Sequence, residues 1–381
     1  MDFVFNQEQQ ELRATARSFL AENSGSAQVR QAMESELGFD AQVWKQLSEL
    51  GWLSVTIPQE YDGLGLGYVE LSALMEVMGE SLLCSPFLST IGLAANALLT
   101  AGSEAQKRAH LPGIAAGQTI ATLAFSEANG HWNADAVEAI ATPSGDGYTL
   151  RGAKHYVPDG LAANLLVIAA RSEGSRGTEG ISLFVLPSDT PGIERRPLPT
   201  MDQTRRQAAV VLHDVVAPAS ALLGPEGGGW PALRKTLDLA AIALAAEQVG
   251  GAQRCLDLSV EYAKEREQFG RPIGSFQAIK HKCADMMVQV ESARSAAYYA
   301  GCVAAEDGDD LSLQASLAKA YCSDAFFRCA GDALQIFGGV GFTWEYDIHL
   351  YLKRAKSTET FLGNAAYHRE LVAQQIGLGG D

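Results

Sequence analysis

Between Thr119 and Gly228 the chain carries six short runs rich in β-branched or apolar residues: "TIATLAF", "AVEAIAT", "YTLRG", "NLLVIAARS", "ISLFVLPS" and "AAVVLHDVVAP". Turn signals such as "PSGDG", "VPDG" and "SDTPG" separate them, and no helical pattern intervenes. Strands alternating with helices build doubly wound parallel sheets, whereas consecutive short strands joined by turns build antiparallel sheets or barrels. This segment therefore predicts a mostly antiparallel β domain of about 100 residues. It argues against a doubly wound nucleotide fold.

Both flanks read as helix. "QEQQELRATARSFLAEN" sets Leu12, Ala16 and Phe19 on one face, and "AQVWKQLSELGWL" repeats the pattern until Gly51 stops it. The glycines of "YDGLGLGYVE" follow no strand, so they suit turns rather than a phosphate cradle. After "LLGPEGGGW", long helical patterns cover about 230–265, 273–305, 311–337 and 347–375. The expectation is an α+β multidomain chain with an N-terminal helical domain (1–118), a central antiparallel β domain (119–228) and a C-terminal four-helix bundle (229–381).

Composition narrows the function classes. The 381 residues are 47% hydrophobic and 19% charged, values of an ordinary globular protein. A net charge of −16 offers no basic stripe for a nucleic acid. The longest apolar run, "LAAIALAA", is too short for stable membrane insertion. "MDFVFNQEQQ" lacks the basic start of a signal peptide, and "GLGGD" is no lipidation or peroxisomal signal. Six scattered cysteines show no zinc or disulfide spacing, which fits a reduced cytoplasmic setting. No metal site is expected.

Three stretches have the residue types for chemistry. In "EREQFGRPIGSFQ" (265–277), Arg266, Gln268 and Phe269 stand at a helix end, and Gln277 opens the next helix. A guanidinium beside a helix start suits a pyrophosphate, and a solvated charged turn has the same sequence. In "LQIFGGVGF" (334–342), Gly338 and Gly339 permit close approach of a ligand or a second chain, or simply cap a helix. In "LAAIALAAEQVGGAQ" (239–253), Glu247 is the one charge in an apolar helix. It is either paired with a cation distant in sequence or placed for chemistry.

The first two stretches together resemble the acyl-CoA dehydrogenases, and the resemblance covers nearly the whole chain. It includes "IPQEYDGLGLGYVE", "FSE" (125–127), "GAKHYVPDG" (152–160), "LHDVVAP", Arg-x-x-Phe-Gly-x-x-Ile-x-x-x-Gln (266–277) and "QIFGGVG" (335–341). The resemblance implies an FAD cofactor, an acyl-CoA substrate, an electron-transferring flavoprotein or similar acceptor, and a homo- or hetero-tetramer. By matching position, Arg266, Gln268 and Phe269, with Gln277 closing the motif, would meet the FAD of their own site. Gln335, Gly338 and Gly339 would reach the adenosine diphosphate end from a neighbouring chain. Ser126 and Tyr156 would lie beside the flavin ring. Two positions depart from the pattern. His131-Trp132 stands where the family has Gly-Ser, and Pro158 replaces a common Thr and has no hydroxyl or N–H to donate.

The family's reaction removes a proton from Cα while a hydride leaves Cβ, so it needs a carboxylate base and donors for the thioester oxygen. The usual base position is Leu362, whose backbone N–H alone could serve, and the alternative position is Ala240. Glu247 lies seven residues past Ala240, on the same helix face, and its neighbours Ala243, Leu244, Gly250 and Gly251, mostly small, would leave room for a substrate or flavin edge. Arg254 is two turns off, so no local ion pair neutralises it, and apolar surroundings would raise its pKa. Glu247 is the candidate base, with Glu359 a second candidate. Three readings follow. The first is a dehydrogenase using Glu247, possessed of a pocket for a bulky, steroid-side-chain-like acyl group. The second is a non-catalytic partner subunit of a heteromeric dehydrogenase. The third is a flavin-dependent hydroxylase on the same fold.

Overall fold

The computed structural model describes residues 5–378. The N-terminal region holds α1 (Gln7–Asn23), α2 (Ser26–Glu34), α3 (Ala41–Glu49), α4 (Tyr68–Glu80), a π-helical stretch (Leu88–Ala95), α5 (Asn96–Ala101) and α6 (Glu104–Ala115). The middle region holds β1 (Ala121–Ala124), β2 (Ile140–Ser144), β3 (Gly147–Pro158), β4 (Leu165–Arg171), β5 (Ile181–Pro187), β6 (Ile193–Leu198), β7 (Gln207–Pro218) and β8 (Leu222–Leu223). The C-terminal region holds α7 (Trp230–Glu265), a hairpin of β9 (Glu267–Gln268) and β10 (Arg271–Pro272), then α8 (Gln277–Ala305), α9 (Leu311–Phe337), α10 (Ile348–Thr360) and α11 (Ala365–Gln375). None of the described helices is long and apolar enough to cross a membrane. All six cysteines are free.

Contacts divide the chain into two compact units. One comprises Ala32–Leu66 and Cys84–Ala240. Its sheet runs β6-β7-β3-β2-β4-β5-β8, with β1 added on β4. Pairing is antiparallel as expected, except that β1 and one residue of β2 run parallel to β4. β4 and β5 are buried along almost their whole length, which explains their unbroken apolar runs. β6, "IERRPL", escaped the sequence reading because two arginines and a proline mask an edge strand. β3 extends through "GAKHYVP" and is irregular against β7 between Lys154 and Val157. That bulge carries Tyr156 into the left-handed region at φ 57°.

The other unit comprises the described parts of Met1–Gln31, Gly67–Leu83 and Ala241–Asp381. α1, α4 and α8 share the carboxylate of Glu76, which accepts from Arg13 at 2.6 Å and from Arg294 at 3.1 Å. Two glycines of α7 let neighbouring helices approach at backbone distance. A Cβ on Gly250 would lie 1.8 Å from the carbonyl oxygen of Glu76, and one on Gly251 would lie 2.4 Å from the ring of Phe326. The small residues around Glu247 are therefore filled by α4 and α9. At these two glycines a neighbouring helix takes the room that the sequence expectation gave to a substrate.

The expected fourth bundle helix, 347–375, is two helices. Leu362 (φ 62°) and Gly363 (φ 97°) turn the chain left-handed after α10, and Asn364 caps α11 by accepting from the N–H of Tyr367 at 2.9 Å.

Candidate active site

In the sheet-containing unit, the loop after β1 is tied down by a buried ion pair. Lys154, fully buried on β3, donates from Nζ to Glu127 Oε1 at 2.6 Å and to the Phe125 carbonyl at 3.2 Å. The same Glu127 oxygen accepts the N–H groups of Glu138 and Ala139, each at 2.9 Å. One carboxylate thus closes the segment 127–139 on itself. Burial pulls the Lys154 ammonium below its ordinary range, opposed by the charge of Glu127. The loop presents Ser126, whose carbonyl accepts from the N–H of His155 at 2.8 Å, next to Tyr156. Ser126 and Tyr156 are brought together by this bond. The Ser126 hydroxyl is buried without a hydrogen-bond partner among the described residues. Trp132 and Trp230 flank the ring of Phe125, at 5.7 and 6.4 Å between centroids. His131 is exposed, and Pro158 is buried with its carbonyl accepting from Thr122 Oγ1 at 2.7 Å.

In the helical unit, Tyr262 near the end of α7 stacks on Phe337 at the end of α9, with centroids 4.2 Å apart. This stack brings two of the sequence-named stretches to one end of the unit. Arg266, Gln268 and Phe269 lie on the β9–β10 hairpin, and Gln277 opens α8, all four exposed. Phe269 is 91% exposed with φ 55°, edge-on to Phe276. Gln335, Gly338 and Gly339 are likewise exposed, and a Cβ on either glycine would meet nothing within 4 Å. Gly338 adopts φ 64°, ψ −143°, which a side chain would strain.

Glu247 is where the structure departs furthest from the sequence reading. Its carboxylate is not in apolar surroundings. Arg354 on α10 donates to Oε1 at 2.8 Å, and both side chains are almost wholly buried. The cation sits 107 positions along the chain, beyond any local pattern. Beside it, Gln248 on α7 donates to Ser323 at 3.1 Å. Glu359 is held by Lys356 at 2.8 Å. Leu362 is buried, its carbonyl accepts from His368 Nε2 at 2.9 Å, and its N–H has no hydrogen-bond partner among the described residues.

Backbone strain gives an independent signal. Eight described non-glycine residues have positive φ, and four of them are aspartates, which tolerate it. The other four are Leu82, Tyr156, Phe269 and Leu362. Three of these four bulky outliers are residues singled out by sequence, and strain of about 1–3 kcal/mol each collects at functional positions.

Sequence reasoning missed Lys154 and Lys319. Lys319 is fully buried on α9, and burial pulls its ammonium down to about 7. The signal was present. Lys319 falls on a face with Ala315, Cys322 and Ser323, as anomalous there as Glu247 is on α7.

Each unit by itself offers groups of the kind a flavin dinucleotide uses: an exposed aromatic ring and an open glycine pair on the helical unit, and on the sheet-containing unit a buried hydroxyl without a partner among the described residues. Three family models match the chain. They are the acyl-CoA dehydrogenase N-terminal domain over residues 6–118, the middle domain over 122–215 and the C-terminal domain over 227–377. The acyl-CoA dehydrogenase IpdE2 of Mycobacterium tuberculosis is 35% identical, over 93% of each chain. Butyryl-CoA dehydrogenase from Megasphaera elsdenii superimposes with a TM-score of 0.92 at 30% identity, covering 99% of this chain and 100% of that one. A variant of the Tcur3481-Tcur3483 steroid ACAD superimposes with a TM-score of 0.87 at 32% identity, covering 97% and 98%.

Proposed function

Because the chain belongs to the acyl-CoA dehydrogenases, FAD-dependent oxidoreductases acting on CH–CH groups, we propose that it serves the α,β-desaturation of a bulky acyl-CoA as one subunit of a heteromeric assembly. The observation that carries this reading is the state of the carboxylates. Leu362 and Ala240 have none, and that of Glu247 is engaged by Arg354 in a buried pair. A chain so built holds cofactor and thioester while a second kind of subunit supplies the base. The steroid ACAD that this chain resembles has a two-part name, and a steroid side chain is a bulky acyl group. His131-Trp132 and Pro158, which depart from the family pattern, suit an altered thioester site.

A bound FAD would supply the hydride acceptor for Cβ, with an electron-transferring flavoprotein or similar acceptor to receive the electrons. In this reading Arg266, Gln268, Phe269 and Gln277 hold the cofactor of their own site. Gln335, Gly338 and Gly339 reach the adenosine diphosphate end belonging to a neighbouring chain. Ser126 and Tyr156 stand at the ring. The unpartnered N–H of Leu362 donates to the thioester carbonyl, which acidifies the α-proton.

A second reading keeps the whole reaction in one chain, with Glu247 as base. Its position two turns past Ala240 favours it, and it requires the Arg354 pair to open during catalysis. The two readings separate in one experiment. The chain is purified alone and with its genomic neighbour, and acyl-CoA thioesters of increasing bulk are added without oxygen. Flavin bleaching only with the neighbour is the expected result. Bleaching by the chain alone that disappears in Glu247→Gln would overturn the subunit reading. Turnover that needs external reductant and oxygen would point instead to a hydroxylase.

A further inference from the structure

The turn that presents the N–H of Leu362 is pinned by a single buried nitrogen. Lys319 Nζ donates toward the carbonyls of Thr358 at 3.0 Å, Glu359 at 3.2 Å and Gly363 at 3.0 Å. Its fourth neighbour is Ser323 Oγ at 2.8 Å, which Gln248 of α7 engages in turn. The last carbonyls of a helix have no intrahelical donors and carry the negative end of its dipole. At the end of α10 the buried lysine nitrogen reaches two of them and extends across the turn to Gly363. Leu362 lies between Glu359 and Gly363, so its peptide group is held from both sides. His368 Nε2 fixes the remaining oxygen of the turn. The Leu362 carbonyl can only accept, so that nitrogen carries the proton.

Lys319 and His368 between them engage the carbonyls of Thr358, Glu359, Leu362 and Gly363, while the Leu362 N–H has no partner among the described residues. This clamp also holds Leu362 at φ 62°, which a leucine would otherwise leave. We propose that Lys319 is a positioning residue: its side chain, anchored through Ser323 and Gln248, orients the Leu362 N–H toward the thioester carbonyl. The inference rests on the role given to Leu362 above. It gives the Glu247-Gln248 pair a shared purpose, since Glu247 holds α10 through Arg354 and Gln248 holds the turn beyond it through Ser323 and Lys319. Neither carries out a step of the reaction.

The test uses the FAD-loaded assembly with a saturating enoyl-CoA labelled with 13C at the thioester carbonyl, read by infrared difference spectroscopy. Wild type lowers the carbonyl frequency on binding, and Lys319→Met loses at least half of that shift while still binding FAD and enoyl-CoA. Amide hydrogen exchange at 360–364 rises in the same variant. If Lys319→Met does not fold, Lys319→Arg retains the buried charge, but its planar fork cannot converge on three carbonyls, and a partial loss of the shift is expected. A folded variant with the wild-type shift overturns the proposal, even if its melting temperature falls, because that is what a merely structural lysine would do. A wild-type complex without any shift overturns the role of Leu362 instead. Faster exchange at 360–364 in Lys319→Met would then still report the clamp.

Discussion

Replacing Glu247 by Gln separates a structural carboxylate from a base. The substitution leaves the Arg354 guanidinium buried, at 2% side-chain exposure, opposite a neutral amide. Removing one partner of a buried ion pair costs about 3–5 kcal/mol, because the remaining charge stays desolvated without that counter-charge. Unfolding entropy near 60 °C is about 2.1 cal/mol/K per residue, which over this chain makes about 0.8 kcal/mol/K. The melting temperature should therefore fall by about 4–6 °C. Replacing both partners at once, Glu247→Leu with Arg354→Met, removes both charges and should restore most of the loss, so the two changes couple by about 2 kcal/mol or more. The assay is thermal unfolding of FAD-saturated protein for wild type, both single variants and the double, run beside anaerobic flavin reduction. A Glu247→Gln protein that melts within about 1 °C of wild type yet no longer bleaches would refute the structural reading and make the carboxylate a base.

Three further outcomes follow from the packing and charges. Between its folded value of about 7 and its ordinary value of 10.5, Lys319 has released in the folded chain a proton that the unfolded chain still binds, so it adds stability as pH rises through that window. The charges that act on it are the Cys322 thiol and Asp324 on α9 and Glu359 on α10, and burial pushes Cys322 up to about 12, outside most of the window. Urea midpoints from pH 7 to 9 should climb in wild type more steeply than in Lys319→Met, and equal slopes would contradict the lowered proton affinity of the buried amine. Gly250→Ala drives a methyl into the Glu76 carbonyl and should cost about 3 kcal/mol, whereas Gly331→Ala, with open space around it, should gain about 0.5–1 kcal/mol; chemical denaturation compares them. Phe269→Ala removes an almost bare ring, so melting of the cofactor-free chain should be unchanged while the flavin-to-protein absorbance ratio falls.

How much was legible depended on range in the chain. The three-region order, the strands of "NLLVIAARS" and "ISLFVLPS", and the helix end before Arg266 are local patterns, and the chain folds as they read. The gap between α10 and α11 was written in "FLGN", but a helical pattern on both sides concealed it, since periodicity is blind to a pair of residues with positive φ. Glu247 failed for a different reason. A window of one or two turns contains every i, i+4 partner and none of the tertiary ones, so an ion pair spanning 107 residues looks like an orphan charge. Its small neighbours misled in the same way, because glycines on a helix read alike whether they admit a ligand or another helix. The family resemblance singled out Tyr156, Phe269 and Leu362, but a sequence had no means of showing that all three are conformationally strained.

That strain has a consequence for how this protein can be improved or diversified. At Phe269 and Leu362 the residue that would fold most comfortably is glycine or asparagine, not the one present. A laboratory selection for heat tolerance alone would thus be drawn to these two positions, at the expense of the exposed ring proposed to meet the flavin at Phe269, whereas at Leu362 the backbone N–H would survive the change. Run deliberately, the same selection becomes a detector. Wherever stability and flavin chemistry pull a position in opposite directions, the chain is spending conformational energy on its work.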